Sequence, residues 1–133
     1  MDFLKDLYVL EGHNVRQAKS MEEWGRCFDS PERIVAVAED EYFKLSTVFL
    51  GARHNHFRPG PPILFETMVF ATDAYRALIP ESKSLDLIAQ RYSSWDDAET
   101  GHITMLKRLK KQIEFALEGG YQDAQQTNEH SLG

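Results

Sequence analysis

Glu66 and His102 are the side chains of this sequence whose type and setting best suit proton chemistry. Glu66 stands in the run ILFETMVFA (63–71), where alternation puts it on a strand face with Leu64, Met68 and Phe70. Burying an ion without a partner costs several kcal/mol, so Glu66 must be paired, protonated or open to a cleft. A structural ion pair with an arginine is the simpler solution, and a general acid or base is the alternative. His102 falls on the apolar stripe of a C-terminal helix and points at the sheet. A core histidine is satisfied by one carbonyl or carboxylate partner. Facing Glu66, and with His54 as a third member, it would instead make an acid–base or metal-assisted site.

A second group lies between two strands, in RHNHFR (53–58). His54 and His56 alone are too few ligands for a metal, with no Cys or acidic residue beside them to complete a set. With Arg53 and Arg58, on a loop stiffened by prolines, they suit a phosphate or a partner's carboxylates. A solvated, rigid loop is the plainer reading. No phosphate-cradling glycine loop, dinucleotide fingerprint, HExxH, GxSxG or CxxC is present, so no cofactor is expected. Ser46 and Thr47 become nucleophiles only if a histidine reaches them.

The elements that must position these groups can be read in order. Residues 7–10 (LYVL) form a short strand stopped by Glu11-Gly12. Ser20, with Glu23 three residues later, opens a short helix through a capping box. Met21, Trp24 and Phe28, with Cys27 beside them, mark its apolar face, and Pro31 closes it. IVAVAED (34–40) and EYFKLSTVFLG (41–51) make a hairpin around Asp40. Its second strand puts Phe43, Leu45, Thr47 and Phe49 on one face and Lys44, Ser46 and Val48 on the other. Residues 63–71, apolar on both faces, read as a central strand covered on both sides. Residues 72–84 are a connection with at most a helical turn, and 85–93 favour a fourth strand over a helix. Ser94 caps a long helix, with Asp97 at the reciprocal position and a stripe of Trp95, Ala98, His102, Met105, Leu106, Leu109, Ile113, Ala116 and Leu117. Gly119-Gly120 stop it.

The expected architecture is α+β: a three- to four-stranded antiparallel meander carrying a short helix and a long C-terminal helix, as one domain over residues 1–118 followed by a flexible tail over 119–133. The chain has 133 residues, 42% of them hydrophobic, and a net charge of −6. That size fits one domain, and the acidity argues against generic nucleic-acid binding, which needs clustered Lys and Arg. No run approaches the length of a membrane span. The start MDFLKD is not a signal peptide. Cys27 is the only cysteine, which rules out an intramolecular disulfide and favours a reducing cytoplasm.

YVLEG (8–12), EEW (22–24), STVFLG (46–51), PPILFETMVF (61–70) and RYSSWDDAETGH (91–102), in this order, resemble a family of small uncharacterised proteins of bacteriophages, prophages and some bacteria. The resemblance covers about residues 8–108. Where that family has Asp-His after STVFLG, this chain has Arg53-His54. The resemblance implies a phage or prophage context in an infected or lysogenic cell, and no activity.

Together these features point to an accessory protein that acts by binding a host or defence protein, or a small anionic, nucleotide-like ligand near Arg53, His54, His56 and Arg58. The alternatives are an enzyme using Glu66 and His102, and a self-assembling protein. If both helices lie on one sheet face, the other apolar face calls for a homodimer.

Overall fold

The computed structural model describes residues 3–54, 59–85 and 89–121. His56, Arg58 and the tail from residue 122 lie outside the described residues. The order of elements is β1 (Tyr8–Glu11), β2 (Asn14–Gln17), α1 (Met21–Asp29), β3 (Ile34–Glu39), β4 (Phe43–Phe49), β5 (Phe65–Ala71), α2 (Asp73–Leu78), β6 (Ala89–Tyr92) and α3 (Trp95–Leu117). The fold is α+β, with a four-stranded antiparallel sheet in the order β3-β4-β5-β6 and a separate β1-β2 hairpin. The sheet is therefore a meander, and α3 packs across it.

Local chemistry explains each boundary. The turn of the β1-β2 hairpin contains Gly12 at a φ of 61°, a conformation in which glycine has no Cβ penalty. This hairpin was not expected: NVRQ (14–17) has one apolar residue and no strand signal of its own, and it pairs only because the turn returns it alongside β1. Ser20 caps α1 by accepting from the Glu23 backbone N–H at 3.1 Å. Glu23 reaches back one residue further than a capping box requires, to the backbone N–H of Lys19. Thr72 caps α2, a helix of six residues inside what the sequence shows as a polar connection. Ser94 caps α3 through the Asp97 N–H at 3.1 Å.

The core has two apolar clusters along α3. Toward its C-terminal end, Phe43, Leu45, Val69, Tyr75, Met105 and Leu109 pack together. Tyr75, fully buried on α2, donates its hydroxyl to Gln112 on α3 and accepts from the Leu85 backbone, which locks the α2 crossing onto α3. Tyr121, beyond the glycine pair, also packs on this cluster. Toward the N-terminal end of α3, Phe49, Leu64, Phe65, Trp95 and Ala98 form the second cluster, covered by Tyr8, Leu10 and Val15 of the hairpin. The hairpin is fastened there by His13, which stacks on Trp95 with ring centroids 3.9 Å apart.

Helix α1 attaches differently from what its spacing predicts. Met21 and Phe28 are exposed, and no residue of α1 is fully buried. Trp24 makes the joint instead, donating Nε1–H to the Gly51 carbonyl at 2.9 Å. Gly51 has a φ of 76°, and a Cβ there would lie 2.9 Å from the Trp24 indole nitrogen, so the close approach depends on glycine.

Candidate functional site

The meander register sorts every residue of β3–β6 onto one of two faces. The inner face, under α3, carries Phe43, Leu45, Thr47 and Phe49 of β4 and Phe65, Thr67 and Val69 of β5, all buried. The outer face has three rows: Glu39, Lys44 and Phe70; then Val37, Ser46, Met68 and Ala89; then Ile34, Val48, Glu66 and Arg91. Ile34 and Val37 share this face although three residues apart, because a bulge between Ile34 and Ala36 inserts one residue. Ile34 is 42% exposed, Val37 48% and Phe70 49%.

The expectation that β5 is covered on both sides is therefore corrected. Both helices that bury it lie on the inner side, and Glu66, Met68 and Phe70 look outward. Leu64 does not share their face; it precedes the strand and is fully buried in the second cluster.

Glu66 is paired by Arg91, its direct cross-strand neighbour on β6, with Nε donating to Oε2 at 2.9 Å. The carboxylate is thus satisfied by the ordinary device of an opposite charge across two strands. His102 is on the other side of the sheet. Its Nδ1 lies 2.7 Å from Thr47 Oγ1, which lies 2.5 Å from Thr67 Oγ1. Thr47 and Thr67 have no solvent exposure and His102 has 5%. Burial lowers the His102 pKa below its ordinary value, so the ring is neutral at pH 7. Running the bonds from Thr67 to Thr47 to His102 gives every hydroxyl proton an acceptor. The string is closed to a substrate, and Glu66 and His102 face opposite ways. The acid–base pair that stood as the alternative to a structural ion pair and a core histidine is not assembled.

The basic loop is only partly described. Arg53 donates Nη2–H to the Gly60 carbonyl at 3.3 Å, and its backbone N–H binds the Asp6 carbonyl. The guanidinium thereby ties the loop to itself. His54 is exposed, and its backbone N–H donates to the Ile63 carbonyl.

A different basic cluster was missed. Arg16 on β2 forks onto both carboxylate oxygens of Glu23 on α1, at 2.8 and 2.6 Å, and also binds Glu11. These bonds hold Arg16 above its usual pKa. Mainly through the Arg16 bonds and then the Lys19 N–H, Glu23 is held down at about 2. Next to this clamp a groove of about 300 Å3 opens between β1, α1 and the turn at Pro31–Arg33. Arg26 and Arg33 line it. The residues come from separate elements with no common spacing, so only the tertiary arrangement reveals them.

Among the described residues no three His, Cys, Asp or Glu side chains converge as metal ligands, and no helix is long and apolar enough to cross a membrane. No protein family, curated protein or solved structure matches the chain.

Proposed function

We propose that this is a phage or prophage accessory protein that acts in the cytoplasm of an infected cell by binding rather than by catalysis, and that its docking surface is the outer face of the β3–β6 sheet. The observation that carries this reading is the openness of that face: Ile34, Val37 and Phe70 stand about half exposed together, with Val48, Met68 and Ala89 filling the space between them. Four strands about 4.8 Å apart, read over three rows about 6.8 Å apart, span roughly 400 Å2. About half of that area is apolar, and exposed apolar patches of a few hundred Å2 often mark contact sites. The phage setting rests on the resemblance of residues 8–108, and the reducing compartment on the single cysteine.

The occupant this face fits is a second copy of the chain. An isologous contact must be self-complementary, and the face carries two acids, Glu39 and Glu66, and two bases, Lys44 and Arg91. It is neutral while the whole chain carries −6, so two copies meet there with the least repulsion. The modest area suits an exchanging dimer rather than an obligate one. A dimer formed this way leaves α1 and the β1-β2 hairpin free for a host or defence protein.

Sedimentation equilibrium from about 1 to 200 μM tests the reading. A concentration-dependent dimer is expected, with Phe70→Glu monomeric throughout and unchanged in circular dichroism. A wild-type monomer across that range, or a dimer indifferent to Phe70→Glu, overturns it.

A further inference from the structure

The groove beside α1 has a mixed lining, a small apolar part beside two guanidinium groups that no ion pair occupies. Val9, buried, and Leu10 and Cys27, half-buried, supply the apolar part. Arg26 and Arg33 supply the charge. Neither guanidinium makes an ion pair or hydrogen bond among the described residues; that of Arg33 is instead held by the Phe28 ring, with Cζ 5.0 Å from its centroid. A cation parked on an aromatic face keeps its N–H fork available, because the ring attracts the charge without using the donors.

The local charge balance defines the ligand. Arg16 and Glu23 also border the groove, but Arg16 is taken up by the clamp, by Glu23 and by Glu11, which does not line the groove. What remains is Arg26, Arg33 and Glu32, a net charge of +1 in a chain of −6. Arg26 also suits the negative end of α1. Arg33 has no such reason, since it sits on the next turn. A volume of about 300 Å3 is at the lower limit of small-molecule sites, about 300–1,000 Å3.

We propose that the groove between β1, α1 and the Pro31–Arg33 turn binds a small organic monoanion, a carboxylate on a short apolar body, with Arg26 and Arg33 gripping the carboxylate and Val9 and Cys27 receiving the body. Glu32 disfavours a second negative charge, so a dianionic phosphate fits less well. Arg33 directly precedes Ile34 of the outer sheet face, but none of the residues lining the groove belongs to that face, so the site is tested separately from the dimer.

Cys27 makes the site measurable, because the only thiol of the chain lines it. Iodoacetate and iodoacetamide alkylate a thiol alike but differ by one negative charge, and iodoacetate is itself a short carboxylate. The iodoacetate-to-iodoacetamide rate ratio at Cys27, divided by that of free cysteine in the same low-salt buffer, is expected to be about fivefold, the effect of one charge contact of about 1 kcal/mol in water. Butyrate should suppress the preference at concentrations where inorganic phosphate does not. Arg26→Ala/Arg33→Ala should return the ratio to that of free cysteine, whereas Lys107→Ala on α3 should leave it raised. Because a loosened fold speeds both reagents, the ratio separates lost recognition from lost structure, and Arg26→Lys/Arg33→Lys should keep part of the preference. A normalised ratio near one in the wild type, a ratio indifferent to both arginines, suppression by phosphate equal to that by butyrate, or a native Cys27 that reacts with neither reagent overturns the proposal.

Discussion

The inner and outer faces of the β3–β6 sheet come from the same alternating strands, yet each meets its polar groups in its own way. On the inner face the polar side chains are enclosed: those of Thr47, Thr67 and His102 bond to one another and, among the described residues, to no other side chain, between two apolar clusters. On the outer face they are charged, paired across strands and wet: Glu66 with Arg91, and Glu39 opposite Lys44. A neutral hydroxyl–imidazole string tolerates burial because each member has a partner, whereas ions would not have been desolvated so cheaply. The difference teaches that the enclosed histidine specifies the fold, while the charged face is kept fit for contact.

The inner string also fixes alignment. Thr47 and Thr67 are direct cross-strand partners, with Leu45↔Val69 on one side and Phe49↔Phe65 on the other. A slip of two residues between β4 and β5 would set each threonine against an apolar residue and leave buried hydroxyls unpaired, at about 1–3 kcal/mol each. One polar layer in an apolar core thus selects one register.

The sharpest way to break the contrast is to truncate one side chain from each face. Leu45→Ala removes a fully buried side chain from the cluster under α3 and should destabilise by about 2–5 kcal/mol. Phe70→Ala, on the outer face of the neighbouring strand and 49% exposed, should stay within about 1 kcal/mol at dilute protein. Urea midpoints measured well below the dimer concentration check this; equal losses would mean the outer face is a core surface.

A smaller effect tests the inner string alone. The His102 pKa is depressed by burial from the ordinary 6.5. The unfolded chain therefore binds a proton at this site at a higher pH than the folded chain does. Stability linked to His102 is complete above about pH 6.5 and is lost as pH falls from there toward the folded value, with a slope of at most about 1.4 kcal/mol per pH unit. Protonation would place a second N–H against the hydroxyl string, which would have to reverse and leave the Thr67 proton without an acceptor. His102→Asn, measured beside the wild type from pH 8 to 5, should lack this component. Parallel profiles would show that His102 carries no proton linkage.

Much of this division was legible in the sequence, and the gaps have physical reasons. The alternation of FKLSTVF assigned both faces of β4, the Ser20 and Ser94 caps began their helices at the right residues, and the α3 stripe found His102. These are local rules of period and capping. The failures were tertiary. ILFETMVFA is apolar enough for two covered faces, and nothing in it says that both helices choose the same side. Leu117 is on the predicted stripe of α3 yet is 60% exposed, while Ala116 beside it is buried. Arg16, Arg26 and Arg33 met only because an unsignalled hairpin returned β2 to α1.

The smallest expected effect is the most discriminating for the outer face. The Glu66 side chain is only 13% exposed, but its partner Arg91 is 49% exposed, so solvent reaches the pair through the guanidinium, and in the monomer Glu66→Gln should change stability by about 1 kcal/mol or less. A glutamine oxygen can still accept from Arg91 Nε, so the loss is mainly of charge. When a second copy covers the face, the same pair loses its water and the interaction between the two charges strengthens. A double-mutant cycle of Glu66→Gln with Arg91→Gln should therefore give a coupling near zero at protein concentrations below dimerisation and a larger one above it. The single variants should also weaken the dimer, each by unbalancing a face whose two acids and two bases otherwise cancel. A coupling that is large already in the monomer would mean that the exposed guanidinium of Arg91 does not bring solvent to the pair and that covering the face adds nothing to it. A coupling indifferent to concentration would mean that the copies meet elsewhere, leaving the pair an ordinary cross-strand contact on a wet sheet.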